Sequence, residues 1–124
     1  MTRKEFQDFV FDNYGITPDF PFEKDLDTAV FRHKSNKKWF AVVMRISEKK
    51  LRRNSDQVID VVNIKCDREI IYSLWQDKGI YPAYHMSKAH WLSVCLDGSA
   101  PDDTVKWLLE ISYNLTKPKN KRCR

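Results

Sequence analysis

Apolar positions recur along this chain at alternating helical and strand periods, and the switches between the two divide it into eight elements. Thr2-Arg3-Lys4-Glu5 has capping-box spacing, with a hydroxyl to accept from an early N–H and a carboxylate reaching back. Phe6, Phe9, Val10 and Tyr14 follow at helical spacing, predicting a helix from about Thr2 to Tyr14 that Gly15 closes in the left-handed conformation. Residues 16–27 hold Pro18 and Pro21 among acids, with Phe20 and Phe22 pinning them as an ordered connector. From Thr28 to Ser47 the period becomes two. Ala29-Val30-Phe31 forms one arm and Phe40, Val42, Met44 and Ile46 the other, around a polar turn Lys34-Ser35-Asn36-Lys37. Residues 48–56 read as a charged, mobile linker.

Val58 to Cys66 is rich in β-branched residues and reads as a third strand, with Val62, Ile64 and Cys66 on one face. Asp67 is placed to cap a second helix through about Gln76, apolar at Ile70, Ile71, Leu74 and Trp75 and closed by Gly79. Tyr81 to Gly98 reads as a hairpin around a short Ser87-Lys88-Ala89 turn, its inward face carrying Leu92, Val94 and Leu96. Pro101, Asp102 and Asp103 open a last helix in which Val105, Leu108, Leu109 and Leu115 are expected to pack inward. The order is α-β-β-β-α-β-β-α. Adjacent hairpins demand antiparallel pairing, so the expected fold is α+β: one antiparallel sheet of about five strands with helices on one face.

The chain has 124 residues, 42% of them hydrophobic, which suits one domain with a real core. Three widely spaced cysteines, Cys66, Cys95 and Cys123, support neither a disulfide framework nor a metal site. No apolar run approaches the roughly 20 residues that span a bilayer, and a reducing cytoplasm is the expected setting. The formal charge is +5, but Lys117 to Arg124 holds five basic residues and no acid. Residues 1–116 therefore carry 17 basic residues (22 less 5) against 17 acidic ones, and the excess is a basic tail at 117–124. Such a tail attracts polyphosphate through counterion release, or simply keeps the chain soluble.

Several strings carry a resemblance: VVNIKCD at Val61 to Asp67, PAYHMSKAHW at Pro82 to Trp91, LDGSAPDD at Leu96 to Asp103 and the helix ending ISYNL, with PFEKDLDTAVFRH and KKWFAVVM earlier. Together they resemble the MmcQ/YjbR family of small bacterial proteins over nearly the whole chain. That resemblance implies a frataxin-like (CyaY-like) fold and a double-wing mode of DNA binding.

With the two hairpins as wings, Arg32, Lys34, Lys37 and Lys38 on the first and Lys88 on the second would meet phosphates, while His33, His85 and His90 donate or accept. Tyr84 and Trp91 would stack on bases or sugars. The plain alternative is that these tips are solvated turns. Trp39 and Trp91 have the opposite parity to Phe40, Val42, Leu92 and Val94, which places them on the helix-free face, open or covered by Phe20 and Phe22. Cys66 has inward parity and Cys95 follows Trp91 outward. Neither shows an oxyanion motif or orienting acid nearby, and Gly15, Gly79 and Gly98 each sit at element ends, so no phosphate loop is present. Glu5, Asp8 and Asp12 share a helix stripe that hard cations would bind weakly at best. The expected function is thus non-enzymatic nucleic-acid binding, with DNA as partner and no cofactor or metal. The alternative is a protein-interaction module of the same fold.

Overall fold

Helix α1 (Arg3–Tyr14) starts and stops where its sequence dictates, in a computed structural model that describes residues 1–118. The Thr2 hydroxyl accepts from the Glu5 N–H at 3.2 Å, the Glu5 carboxylate accepts from the Thr2 N–H at 2.8 Å, and Gly15 adopts φ 67°. The chain then makes strands β1 (Ala29–Arg32) and β2 (Trp39–Ser47), a 3-10 helix (Glu48–Leu51), strand β3 (Val58–Lys65), helix α2 (Arg68–Leu74), strands β4 (Ile80–Pro82) and β5 (Trp91–Cys95), and helix α3 (Asp102–Thr116). The eight expected elements are all there in order, with α2 ending at Leu74 instead of Gln76.

The strands form one antiparallel sheet in the order β1-β2-β3-β5-β4. Since β5 lies antiparallel between β3 and β4, those two strands run parallel and need a crossover, which α2 supplies. The crossover closes tightly at Gly79. A Cβ there would stand 2.6 Å from the Ala100 nitrogen, and the residue's φ of 82° also suits glycine.

The main core lies between the sheet and the three helices. Phe6 and Val10 of α1, Ile71 and Leu74 of α2, and Val105, Leu108 and Leu109 of α3 meet Phe31, Phe40, Val43, Val62, Ile64, Leu92 and Val94 from the sheet. Leu115 is a correction. It is 46% exposed, and the buried stripe of α3 continues instead through Ser112 and Thr116. Those two positions lie nearer the centre of the stripe begun by Val105, Leu108 and Leu109, and their hydroxyls meet backbone that a leucine could not satisfy.

The Ser112 contact matters for the sheet. Strand β2 carries an extra residue, with Phe31 opposite Ala41 but Arg32 opposite Trp39, and its pairing with β3 stops at Ala41–Ile64. The fully buried Ser112 hydroxyl fills the gap, donating to the Phe40 carbonyl at 2.6 Å and accepting from the Lys65 N–H at 2.9 Å. A helix side chain thereby replaces one ladder bond where the strands splay.

A second, smaller core lies on the other face. Segment 48–56 is an ordered roof and not a mobile linker: Leu51 is buried against Ile59, Val61 and Cys95, with Tyr81 and Tyr84 packed alongside. Cys95 has the expected outward parity but is buried by that roof, only 1% exposed.

Candidate nucleic-acid interface

Strand register decides which residues meet. Arg32 pairs with Trp39, Lys65 with Trp91, and Pro82 with Leu92. The β1–β2 tip (33–38), the end of β3 and the β4–β5 connection (83–90) therefore all lie at one end of the sheet. Trp39, Lys65 and Trp91 sit there on three neighbouring strands, β2, β3 and β5, each half-buried.

The first tip is clipped onto the end of α3. Asn36 donates to the Thr116 carbonyl at 2.9 Å and accepts from the Lys38 N–H at 3.0 Å, while His33 Nε2 lies 2.8 Å from Thr116 Oγ1. The turn closes with Lys37 at φ 64°. His33 is the main correction to the expected site. It is 3% exposed, between the rings of Phe40 and Tyr113, and has left the surface to anchor the tip. Burial lowers its pKa, opposed by a hydrogen bond to the Tyr113 backbone. Arg32 is also engaged, its guanidinium 2.9 Å from Asp19 and over the Trp39 ring at 5.7 Å. Lys34, Lys37 and Lys38 are exposed and form no ion pair among the described residues. Lys34 and Lys117 line a common recess, which brings the root of the basic tail beside this tip. Beyond Pro118 the tail lies outside the described residues.

The second connection is not a protruding wing. It spans residues 83–90 and lies back over the helix-free face, held by a polar pair. Asn63 and Ser93 face each other across β3 and β5, wholly buried and hydrogen-bonded together. Asn63 donates to the Tyr84 carbonyl and the Tyr84 N–H donates to Ser93 Oγ, each at 2.9 Å. Both main-chain groups of Tyr84 are thus satisfied by two strand residues, which fixes the loop's height above the sheet. Tyr84 is half-buried, with His85 against its ring at 3.9 Å and at φ 64°. Lys88 is exposed and forms no ion pair among the described residues, and the His90 carbonyl accepts from the Cys66 N–H at 2.8 Å.

The tryptophans are partly covered. Phe22 meets Trp39 edge-to-face at 6.2 Å, whereas Phe20 remains 48% exposed. Between the connector and the 83–90 loop runs a largely apolar groove of about 750 Å³, walled by Phe22, Trp39 and Met86 and floored by Val42, Met44 and Ile46. That floor is a correction to their expected inward parity with Phe40: the extra residue in β2 turns them to the helix-free face and leaves Ala41 and Val43 in the main core.

Arg53 is a residue the sequence reading passed over. It pairs with Glu48 at 3.0 Å and Asp97 at 2.8 Å, donates to the Tyr81 hydroxyl at 2.8 Å and Ser99 Oγ at 3.1 Å, and lies over the Tyr81 ring. Partial burial opposes ionisation of Asp97, but hydrogen bonds from Ser99 and Arg53 win and hold its pKa at about 2. Burial pushes the Cys95 thiol up to about 11 and raises that of Cys66 as well, so neither is a ready thiolate at neutral pH. On α1, Glu5 is spent on its cap and Asp8 on Lys4, and among the described residues no three metal-ligating side chains converge. No helix there is long and apolar enough to cross a membrane.

A family model described as YjbR matches residues 12–115. The Bacillus subtilis protein called Uncharacterized protein YyaQ is 39% identical over 117 residues, 94% of this chain and 99% of the relative. A crystal structure of a Pseudomonas syringae protein superposes with a TM-score of 0.92 at 43% identity, covering 94% of this chain and all of that one. A Deinococcus radiodurans protein is more distant, with a TM-score of 0.71 at 26% identity over 98% of this chain and 83% of its own.

Proposed function

The chain belongs to the YjbR family, and from that premise we propose that it is a non-enzymatic nucleic-acid-binding protein that holds the phosphate backbone of DNA through one end of its sheet. The observation that carries the reading is the gathering there of cations with no ion pair among the described residues: Lys34, Lys37 and Lys38 on the clipped tip and Lys117 at the root of the basic tail, whereas Lys88 lies apart, beside Arg52. Phosphate contacts need mobile cations on a rigid base, and the bonds from His33 and Asn36 to Thr116 supply the base. Arg32 and His33 drop out of the contact set. One asserts its charge against Asp19 and the other is buried. The raised thiol pKa values of Cys66 and Cys95 favour a binding role over nucleophilic catalysis.

Salt-titrated binding to labelled duplex and single-stranded DNA tests this. Lys34→Ala, Lys37→Asn and Lys38→Ala together, with asparagine chosen to tolerate the positive φ, should flatten the log–log salt slope by up to about 3 if each lysine neutralises one phosphate. An unchanged slope removes the tip from the interface. A chain ending at Pro118 separates the tail: binding that vanishes with the last six residues would leave the folded domain without a role.

A second reading, a protein-interaction module, draws on the apolar groove beside Trp39. Absence of DNA binding by the full chain at low salt would favour it.

A further inference from the structure

We propose that the cleft between segment 48–56, the end of α2 and the 83–90 loop is a nucleotide pocket, taking a planar aromatic base against its walls and the attached phosphate on its rim. The inference rests on the nucleic-acid reading and names a unit of ligand for it.

The cleft measures about 280 Å³, is mostly apolar, and is lined by Trp75, Tyr81 and Tyr84 together with Lys50, Arg52 and Lys88. No acidic residue lines it, and none of the three cations makes an ion pair among the described residues. Aromatic walls beneath unpaired cations match a flat π system bearing an anion. The volume lies near the lower bound of about 300 Å³ for small-molecule sites, which suits one ring system and not an extended ligand.

The walls are anchored by the second core and the polar contacts around it. Leu51 packs into the second core and fixes Lys50 and Arg52, and the chain reverses at Arg52 in a left-handed conformation, φ 63°, uncommon for a side chain of that size. Asn63 and Ser93 fix Tyr84, and Arg53 fixes Tyr81 through its ring and hydroxyl. Trp75, half-buried at the end of α2, closes the remaining side. A cavity whose walls are held by one connected set of packing and hydrogen-bond contacts is preorganised, so ligand binding costs little ordering.

The test is an NMR titration of the isotope-labelled full chain with adenosine 5′-monophosphate, adenosine, inorganic phosphate and a short single-stranded oligonucleotide. The monophosphate should shift the Tyr81 and Tyr84 amides and the Trp75 indole saturably, more tightly than adenosine or phosphate alone. Arg52→Asn with Lys88→Ala should weaken it about tenfold, the sum expected of two exposed charge contacts. Asparagine keeps the left-handed position accessible, and an unchanged spectrum elsewhere reports an intact fold. Shifts with the oligonucleotide but not the monophosphate would support a pocket for a nucleotide within a strand. Phosphate binding as tightly as the monophosphate would overturn the base site, as would shifts confined to Lys34, Lys37 and Lys38, which would leave the nucleic-acid reading standing. Silence in every arm would sink both.

Discussion

Ser112→Ala should be among the most damaging small changes this chain can suffer. The hydroxyl is wholly buried in α3 and makes two bonds to different strands, to Phe40 at 2.6 Å and from Lys65 at 2.9 Å. Its removal strands a carbonyl and an N–H in a site with no other partner, at about 1–3 kcal/mol each. Alanine's better helix propensity returns roughly 0.5 kcal/mol. A net loss of about 2–4 kcal/mol follows, a large share of the roughly 5–15 kcal/mol by which domains are stable. With an m-value of about 2 kcal/mol/M in urea, the middle of the usual range, the midpoint should fall by roughly 1–2 M. Equilibrium urea unfolding followed by tryptophan fluorescence measures this directly. A midpoint within about 0.3 M of the parent would show that the splayed strands close or admit water without the serine, and would refute its role as a substitute ladder bond.

Asp97 should give acid sensitivity of a definite sign. Its folded pKa of about 2 lies below the ordinary 3.8, so its contribution is full above pH 3.8 and is lost as pH falls through 2. The gap corresponds to about 2.4 kcal/mol, which solvent screening at this partly exposed carboxylate cuts to about 1 kcal/mol. Asp97→Asn should therefore flatten the decline of urea midpoints between pH 4 and 2, and parallel profiles for the two proteins would contradict the pairing with Arg53. Asn63→Ala should release the 83–90 loop, because Tyr84 loses its carbonyl partner and Ser93 its own. Faster amide exchange at Tyr84 with α1 exchange unchanged is the expected signature, and uniform acceleration would mean global destabilisation instead.

The elements were legible because each was written in a local code. The capping box at Thr2 and the Asp67 cap act within a few residues, where propensity speaks directly, and β2 was legible as a strand although its extra residue reversed the faces expected for Val42, Met44 and Ile46. What stayed hidden were contacts between distant segments. His33 lies among cationic neighbours in the sequence, and nothing local reveals that Thr116, 83 positions away, awaits it. Segment 48–56 looks like a solvated linker because four of its residues are basic. Yet Leu51 and Arg53 turn it into a roof, using Cys95 and Asp97 from β5 and the loop after it. One clue was available: a lone leucine inside a charged run, on a chain whose sheet has an apolar second face at Ile59 and Val61.

The position of Asn63 explains how chemistry is added to a fold of this kind. A buried polar residue in the central strand weakens the sheet unless its amide is satisfied, and here Ser93 and the Tyr84 backbone satisfy it. The cost of burying that amide is offset only when residues 83–90 lie over the sheet. The polar pair therefore selects one loop conformation against the more extended ones a hairpin could adopt. That conformation sets Lys88 and Tyr84 beside Arg52 and withholds them from the first tip, so the two cationic clusters are separate by construction. On the proposed readings, phosphate contacts at the tip and capture of a single base in the cleft would then be distinct events, and the Lys34/Lys37/Lys38 and Arg52/Lys88 variants should damage them independently.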